Sequence, residues 1–510
     1  MERKWWTLVA VCIATFMLLL DVTIVNVALP DIERSLGSSF ADLQWVVDAY
    51  ALTLAALLLT GGSLADLFGR RLLFVIGLAI FTAASLACGL SGSPTALNLA
   101  RAAQGIGAAF MFATALALLA ANFFGADRGT AFGIWGAVTG ASVAVGPLAG
   151  GVLTQSLGWE SIFFVNVPIG IGAIALAYAK VDESRAPRSG PARPRVDWAG
   201  LILFSAALFL LIFALIRGNT EGWGSTLIVA LLAGAVLLLA AFVVAERRTA
   251  APMLDLSLFR KPAFVGASVA AFVLSASMFS MFLYLTLYVQ NVLGYSALES
   301  GLRFLPVTVL SFLVAPAAGK LAEKLGIRYF LSGGLALVGL GLLLMSGLDP
   351  GDDWTALLAG FMVAGAGIGL VNPPLATAAI GVVEPYRAGM ASGINSTFRQ
   401  VGIATGIAGL GAVFQHLVDS RAGEFARAVK AAGGTIPRNT EGAFSDFISF
   451  GVYRRIAEQT GGGVERAGRD AFLHGLNHIL VYAAILAFVG AILSLLLVRP
   501  SDFVSHQQAP

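Results

Sequence analysis

The amino-acid sequence predicts an all-α membrane protein of fourteen transmembrane helices, arranged as two pseudo-symmetric six-helix bundles with two helices inserted between them. Three observations predict this fold class: the composition, the number of helix-length apolar runs, and an internal repeat. Of the 510 residues, 58% are hydrophobic and only 12% are charged, whereas about a quarter of an average soluble domain is charged. The net charge of +3 is too small to indicate a nucleic-acid partner.

Apolar runs of membrane-spanning length follow one another along the chain. A helix needs about 20 apolar residues to cross a hydrocarbon layer of about 30 Å. The first run contains Asp21 and lacks a small-residue cleavage site, so we interpret it as a retained helix rather than a signal peptide. The candidate spans are residues 7–29, 44–66, 72–91, 95–120, 130–153, 161–179, 198–217, 225–245, 263–290, 300–320, 328–347, 354–380, 390–416 and 474–498.

The distribution of Lys and Arg gives an orientation for these spans. Both residues prefer the cytoplasmic ends of transmembrane helices. With the N-terminus inside, most of the 32 Lys and Arg residues lie in short inner segments, and only Arg34, Arg217 and Arg303 lie at short outer segments. We therefore expect a multi-pass protein of the plasma membrane with both termini in the cytoplasm.

A short motif occurs once in each half of the chain. The stretch GGSLADLFGRR at 61–71 is echoed by GKLAEKLGIR at 319–328, at an offset of 257 residues. Both copies place an acid and an arginine at the inner end of an even-numbered helix, where exposed carbonyl groups carry partial negative charge. Charge clusters at such places can break and re-form as two bundles rock, which predicts a cytoplasmic gate. The gate residues are Gly62, Asp66, Gly69, Arg70, Arg71, Glu323 and Arg328.

The repeat also divides the chain into domains. Parallel repeats about an axis normal to the membrane occur in secondary transporters, with the substrate path between the halves. We predict an N-terminal bundle at 1–180, an unstructured cytoplasmic linker at 181–197, inserted helices at 198–246 and a C-terminal bundle at 247–510. The long outer segment 417–473 has an amphipathic pattern that predicts a hairpin or surface helices.

Four further stretches resemble motifs of one known family. They are LDVTIVNVALP at 20–30, RAAQGIGAA at 101–109, GASVAVGPLAGG at 140–151 and INSTFRQVGIATG at 394–406. Together with the stretch at 61–71, they make the sequence similar over nearly its whole length to the major facilitator superfamily, and specifically to its fourteen-helix drug–proton antiporter branch. One family glycine is replaced by Ser142. The resemblance implies a transporter rather than an enzyme.

The resemblance assigns a role in antiport to the fifth-helix motif Gly146, Pro147, Gly150 and Gly151. Proline removes a helical hydrogen bond, and small residues allow close helix packing. We expect Gly146-Pro147 to bend this helix, and the surrounding small residues to let it approach a helix of the other half.

Two ionisable residues within spans are candidates for proton coupling. By helical rise, Asp21 and Arg101 both lie about 9 Å from the outer side, and the family associates the arginine with coupling. An arginine keeps its proton, whereas a carboxylate can exchange one, so we expect Asp21 to alternate between a proton and a positive partner. The alternative is a static pair that only fixes helix packing. Asp48 is the next candidate.

The second half carries no matching pair, since Met278 stands 257 residues after Asp21, so coupling is expected in the first half. Arg399 lies near mid-membrane by helical rise; it could counter a carboxylate or a substrate anion, or reach helix-end carbonyls. The candidate residues of the substrate cavity are Asn26, Gln104, Asn395 and Arg399.

The sequence contains no nucleotide-binding loop, catalytic triad or metal-ligand cluster. His474 and His478 are spaced for a zinc pair but lack a third ligand. We therefore expect no metal, no cofactor and no enzymatic activity, with a proton gradient as the energy source. The expected function is export of hydrophobic or cationic compounds by a monomer in the lipid bilayer. Alternatives are a dedicated exporter of one metabolite, lipid or siderophore, and a sensor or scaffold that does not transport.

Overall fold

A computed structural model of the chain confirms the predicted fold class. It describes residues 2–124, 126–185, 196–249, 252–433, 444–449, 451, 453–460 and 462–503. Within these ranges, 13 helices are long and apolar enough to cross a membrane, and no residue forms a β-strand. One more helix, Ala126–Leu157, is 32 residues long and packs between Arg3–Leu36 and Leu305–Leu325. It completes the predicted fourteen.

The spanning helices are labelled α1 to α14 in chain order. They are Arg3–Leu36, Phe40–Phe68, Arg70–Gly89, Pro94–Asn122, Ala126–Leu157, Ser161–Lys180, Trp198–Glu221, Thr226–Arg248, Pro262–Val292, Leu305–Leu325, Ile327–Leu344, Leu358–Gly381, Ala388–Asp419 and Gly462–Leu497. We call the end of the bundle that carries residues 61–71 the motif end.

Two boundaries differ from the prediction. The predicted span 300–320 divides into a short helix, Ala297–Arg303, and α10. A capping box of Ser296 and Glu299 starts the short helix, and Pro306 in the first turn of α10 lacks the N–H that would continue it. Helix α14 begins at Gly462 rather than at residue 474. Its first three turns contain charged residues, so a search for apolar windows does not include them.

Small residues bring the two halves into contact at places related by the repeat. A Cβ added to Gly62 of α2 would overlap the carbonyl oxygen of Gly389 in α13, and one added to Gly319 of α10 would overlap that of Gly129 in α5. Gly319 follows Gly62 by 257 residues, and Gly389 follows Gly129 by 260. The backbones of α2 and α13 therefore cross at contact distance, as do those of α5 and α10.

The inserted helices α7 and α8 lie at the periphery. Helix α7 packs against α8, α2 and α13, and the rings of Trp45 and Phe213 stack at 5.6 Å in its contact with α2. In an apolar 18-residue stretch of each helix, only 28% of the residues of α7 and 17% of those of α8 are buried. The remaining surface of these helices is apolar and faces outward, as expected for contact with lipid.

The long segment before α14 forms short helices in its described parts, in agreement with the prediction of surface helices. These helices are Ala422–Ala431, Phe444–Ser449 and Tyr453–Thr460. The rings of Phe425, Phe444 and Phe447 lie together against the core of the C-terminal half. Residues 434–443 of this segment, and residues 186–195 of the predicted linker, lie outside the described residues.

Candidate functional site

Asp21 of α1 and Arg101 of α4 form an ion pair inside the N-terminal half, so the predicted contact is present. Each residue is 1% exposed, and Nη1 of Arg101 donates a hydrogen bond to Oδ2 of Asp21. Arg101 Nε donates to the carbonyl oxygen of Val46 at 2.8 Å. The guanidinium lies 4.4 Å from the ring centroid of Tyr50. The arginine thus connects α4 to both α1 and α2.

Gln104 extends this network. Its amide nitrogen donates to Asp21 Oδ1 at 2.8 Å and to Ser85 Oγ at 2.7 Å, and its oxygen accepts from Arg101 at 2.6 Å. The amide nitrogen of Asn166 in α6 lies 3.4 Å from the same two oxygens. All of these residues belong to the N-terminal half. Gln104 therefore lies in the Asp21 network and not on the wall of an open cavity.

Sequence reasoning did not find Asn166 or Ser85. An asparagine within an apolar run is a detectable signal, because polar side chains in the membrane need partners. A serine in a helix is too common to serve as such a signal. The resulting network gives Asp21 donors from Arg101, Gln104 and Asn166. Removing one partner of a buried ion pair costs about 3–5 kcal/mol, so the charged pair holds α1 firmly against α4.

Asp48 lies elsewhere on α2. Within the described part of the chain, its Oδ2 atom is buried without a hydrogen-bond partner. The cation that acts on Asp48 is Arg217 of α7, whose Nη1 donates to Gln44 at 3.3 Å. Arg217 thus connects α7 to α2 through Gln44, and Asp48 is not among the donors and acceptors of the Asp21 network.

Asp66 joins the end of α2 to the start of α13. Its Oδ1 accepts from the backbone N–H of Gly389 at 3.0 Å, and its Oδ2 accepts from that of Met390 at 2.8 Å. Arg70 donates to Oδ1 of Asp66 from Nε at 3.0 Å and from Nη2 at 2.8 Å. The first N–H groups of a helix have no partner within the helix and favour an anion. This copy of the motif thus connects the two halves at the motif end.

Arg71 takes part in a contact that sequence reasoning missed. Glu183, beyond the end of α6, accepts from the backbone N–H of Arg71 at 3.0 Å and from that of Leu72 at 3.2 Å. The carboxylate therefore caps α3 from more than 100 residues away in sequence. Gly69 has a φ of +125°, and a Cβ there would lie 2.6 Å from Glu183 Cδ. The motif needs this glycine because the carboxylate occupies that space.

The second copy of the motif uses a different cation from the one predicted. Glu323 accepts from the backbone N–H of Gly129 and faces the charge of Arg128 at the start of α5. Arg328 instead donates to the hydroxyl of Tyr329 at 2.5 Å and lies 4.6 Å from its ring centroid. The expectation that Arg328 joins Glu323 in a gate cluster is therefore corrected. Ile327 stands where the first copy has Arg70, so the side chain that binds the acid is missing.

The fifth-helix motif faces α1 rather than the other half. A Cβ added to Gly146 would overlap Oγ1 of Thr23 and lie 2.7 Å from its Cβ, and one added to Gly150 would lie 3.1 Å from the carbonyl oxygen of Ile24. Gly151 is the glycine of the motif that faces the other half, because a Cβ added there would lie 3.9 Å from Cβ of Leu298. This corrects the prediction for Gly146 and Gly150. The side chains of Pro147 and Asn26 lie outside the described part of the structure.

A second face of α5 makes the predicted approach to the C-terminal half. A Cβ on Gly133 would lie 2.7 Å from Cα of Pro316, and one on Gly140 would lie 3.3 Å from Oγ of Ser311. Gly136 faces Asn372, because a Cβ added to Gly136 would lie 3.5 Å from Cβ of Asn372. With 3.6 residues per turn, these glycines share a face with Gly129 that lies roughly a quarter turn from Gly146 and Gly150. Helix α5 therefore contacts α1 and the other half at once.

The other cavity candidates lie in the C-terminal half. Arg399 is 7% exposed, and Nη2 donates to Oδ1 of Asn372 in α12 at 3.1 Å. No charge of the described residues acts on it. Asn395, one turn earlier on α13, is 2% exposed, and neither of its side-chain polar atoms has a partner within the described ranges. The structure thus brings Arg399 into contact with Asn372, with Asn395 one turn away on the same helix.

A small cavity lies between the halves beside α5. A cavity of about 10 Å³, which has room for about one water molecule, lies at the contact of α5 with α9, α10 and α12. Its lining includes Gly140, Phe279, Phe282, Val307 and Ser311.

The two histidines do not form a metal centre with a third ligand. The rings of His474 and His478 lie 4.6 Å apart, and Nη2 of Arg421 lies 3.3 Å from Nδ1 of His474. Within the described ranges, no group of three potential ligands could hold a metal ion. The neighbouring guanidinium also disfavours a cation at this place.

Comparison with known proteins finds similar sequences and a similar fold. Residues 11–407 match the family model described as Major Facilitator Superfamily. The chain is 40% identical over 408 residues to the Multidrug resistance protein Stp of Mycobacterium tuberculosis, covering 80% of this chain and 75% of that protein. It is 34% identical over 499 residues to the Tetracenomycin C resistance and export protein of Streptomyces glaucescens, covering 97% and 91%. The crystal structure of the human organic anion transporter MFSD10 has the same fold, with a TM-score of 0.64 at 14% identity, covering 97% of this chain and 100% of that one.

Proposed function

Because the chain belongs to the major facilitator superfamily, a family of membrane transporters, we propose that it is a proton-coupled exporter of drug-like hydrophobic and amphipathic compounds. Two relatives support export, since one is named for multidrug resistance and the other for resistance and export of a single compound. The observation that supports proton coupling is the buried Asp21–Arg101 ion pair. In this account a proton gradient supplies the energy, no cofactor takes part, and a monomer is sufficient.

The proposed orientation places the motif end in the cytoplasm, together with both termini, because most Lys and Arg residues of the short loops lie there. Asp66 then closes the cytoplasmic side by binding the start of α13. Alternating access requires these hydrogen bonds to break when the halves open toward the cytoplasm. We call these hydrogen bonds of Asp66 the latch. The closed latch supports a transport cycle in which these hydrogen bonds form and break once per turnover.

Proton binding at Asp21 has a physical route to the contact between the halves. The charged carboxylate accepts hydrogen bonds from Arg101, Gln104 and Asn166, and protonation removes the charge that holds these donors. Two residues later on α1, Thr23 packs against Gly146 of α5. The adjacent face of α5, which carries Gly129 to Gly140, contacts the C-terminal half. A shift of α1 on protonation would therefore move α5 against α10 and α12.

Proteoliposomes with an acidic interior test this proposal. Initial uptake would be measured for ethidium, a permanent cation, and for pyrene-1-butanoate, an anion, with protein-free liposomes as background. We expect the wild type to accumulate at least one probe and Asp21→Asn to fall to background. Asp31→Asn is the matched control, because it makes the same change on α1 at a half-exposed carboxylate paired with Arg34.

Two results would argue against the proposal. Gradient-driven uptake by Asp21→Asn at the wild-type rate would exclude Asp21 as the coupling site and direct the search to Asp48. Uptake of neither probe by a folded wild type would favour a sensor or scaffold. If Asp21→Asn loses thermal stability as well as uptake, Asp21→Glu separates coupling from packing, since it keeps a titratable carboxylate.

A further inference from the structure

Arg399 carries a buried charge that no side chain of the described part of the structure balances. It is 7% exposed, its neighbour Asn372 is neutral, and no charged group acts on it. It lies eleven residues after the start of α13 at Ala388, which places it about 16 Å along the helix and near the middle of the bilayer. Burying an unpaired ion costs several kcal/mol. A charge in this position is a functional candidate whose partner must be found.

Unpartnered polar atoms occur on Asn372, which Arg399 contacts, and on the face of α13 that carries Arg399. Within the described residues, Nδ2 of Asn372, both polar atoms of Asn395 and Oγ of Ser392 are buried without a hydrogen-bond partner. Ser392, Asn395 and Arg399 are spaced by three and four residues, so they share one face of α13. Each unsatisfied buried group costs about 1–3 kcal/mol. Such a cluster is expected where a ligand completes the hydrogen bonds.

The cluster borders the contact between the two halves. Asn372 lies beside Gly136 of α5, and the hydroxyl of Ser311, which also has no partner among the described residues, lies beside Gly140. A substrate path between parallel repeats runs along this contact. Any separation of α5 from α12 would expose Asn372 first and Arg399 behind it.

The interior charges near this path favour an anionic ligand over a cationic one. Asp21 is neutralised by Arg101, and Asp66 is neutralised by Arg70. Asp48 lies on α2, where Arg217 of the inserted helix α7 acts on it. Arg399 is the charge beside Asn372, and no charged group of the described residues acts on it. Hydrophobic or cationic compounds are the substrates expected from the sequence, but a cation would be repelled from this position.

We propose that Arg399, Asn395 and Asn372 bind an acidic oxygen of the substrate, a carboxylate or an ionised phenol, so that the exported compounds are anionic amphiphiles. This inference rests on the proposed function, because it assigns a substrate to the path between the halves. The planar guanidinium matches two oxygens of a carboxylate. Nδ2 of Asn372 and the amide of Asn395 supply further donors, while the apolar body of the substrate lies toward Phe279 and Phe282.

Binding of three pyrene probes to the detergent-solubilised protein tests the inference without requiring transport. The probes are pyrene-1-butanoate, its neutral amide and the cationic pyrene-1-butylamine, and their affinities are read by energy transfer from the 8 tryptophans. We expect the wild type to bind the carboxylate about tenfold more tightly than either other probe, as one charge-assisted bidentate contact provides. In Arg399→Gln, we expect the three affinities to converge through a loss for the carboxylate alone.

Thermal stability gives a second readout that distinguishes a ligand site from a structural role. Removing an unbalanced buried charge should raise the melting temperature of Arg399→Gln in the absence of ligand, whereas a structural arginine would lower it. Pyrene-1-butanoate should stabilise the wild type but not the variant. Arg399→Lys, which keeps the charge without the planar fork, should retain part of the preference. Arg303→Gln is the control, because it makes the same change at a partly exposed arginine that stacks on Tyr295, and it should leave the preference unchanged.

The proposal fails if the wild type does not bind pyrene-1-butanoate, binds all three probes equally, or prefers the amine. It also fails if the carboxylate preference survives in Arg399→Gln. Failure of the proposed function is a separate result, because it concerns gradient-driven uptake and its dependence on Asp21, which the binding assay does not measure.

Discussion

Thr23 of α1 lies directly against Gly146 of α5, with no space for a Cβ between them. The contact stands two residues from Asp21, within the half of the molecule that holds the buried ion pair. Because a neighbouring face of α5, about a quarter turn away, contacts α10 and α12, this glycine connects the proposed proton site to the contact between the halves. The importance of the Thr23–Gly146 contact for transport can be tested by adding a side chain at Gly146.

Gly146→Ala should separate α1 from α5. The new Cβ would overlap Thr23, and overpacking of this kind costs about 1–3 kcal/mol, so we expect a lower melting temperature and a loss of gradient-driven uptake. Thr23→Gly removes the obstructing atoms and should restore uptake in the double variant. Gly409→Ala on α13, where a Cβ meets no atom within 4 Å, is the control and should be neutral or slightly stabilising. Wild-type uptake by Gly146→Ala would show that this contact does not transmit the proton signal.

Asp66→Asn should open the motif end. The amide keeps the size of the side chain but removes the charge that binds Arg70 and the first N–H groups of α13. With Cys12 and Cys88 replaced by Ala, a cysteine at Ser392 should react faster with an impermeant maleimide when Asp66→Asn is present. Glu323→Gln should have a smaller effect, because Glu323 accepts from one backbone N–H and faces Arg128, whereas Asp66 accepts from two backbone N–H groups of α13 and from Arg70. Equal effects would contradict the asymmetry between the two copies.

Ile327→Arg should build the missing half of the second latch. Arg70 binds Asp66 from four residues away, and residue 327 stands four residues after Glu323. A new pair would strengthen the closed state, so we expect slower turnover and slower labelling at position 392. Ile327→Gln, which has no charge, is the control. Faster turnover in Ile327→Arg would mean that the second copy does not act as a gate.

The contact between Asp255 and Arg387 should make stability depend on pH at the motif end. Burial raises the pKa of Asp255, but hydrogen bonds from Ser257 and Arg387 outweigh it and hold this pKa below its ordinary value. A lowered pKa in the folded state means that the stabilisation is complete above the ordinary pKa, about 3.9, and is lost as the pH falls through the lowered value. Melting temperatures from pH 7 to pH 3 should fall less steeply for Asp255→Asn than for the wild type. Parallel curves would exclude this contribution.

The sequence was sufficient to predict the helices and the pair Asp21–Arg101, and the reasons are local. Fourteen apolar runs require fourteen helices, and helical rise places both charged residues at one depth. The cap that Glu183 gives to α3 was not predictable, because it joins residues 112 apart in sequence. The face of α5 that carries Gly146 was wrongly assigned to the other half, since composition shows that a helix can approach another but not which helix it meets.

Proton release on substrate binding tests the central claim most directly. Saturating pyrene-1-butanoate would be added to the solubilised protein in weakly buffered solution, and the pH change would be followed with an indicator dye between pH 5 and pH 9. If Asp21 exchanges a proton for its positive partner as substrate binds, the wild type and Asp31→Asn will release protons over a limited pH range, and Asp21→Asn will not. Release of the same size from Asp21→Asn would contradict the account and show that the proton comes from another group.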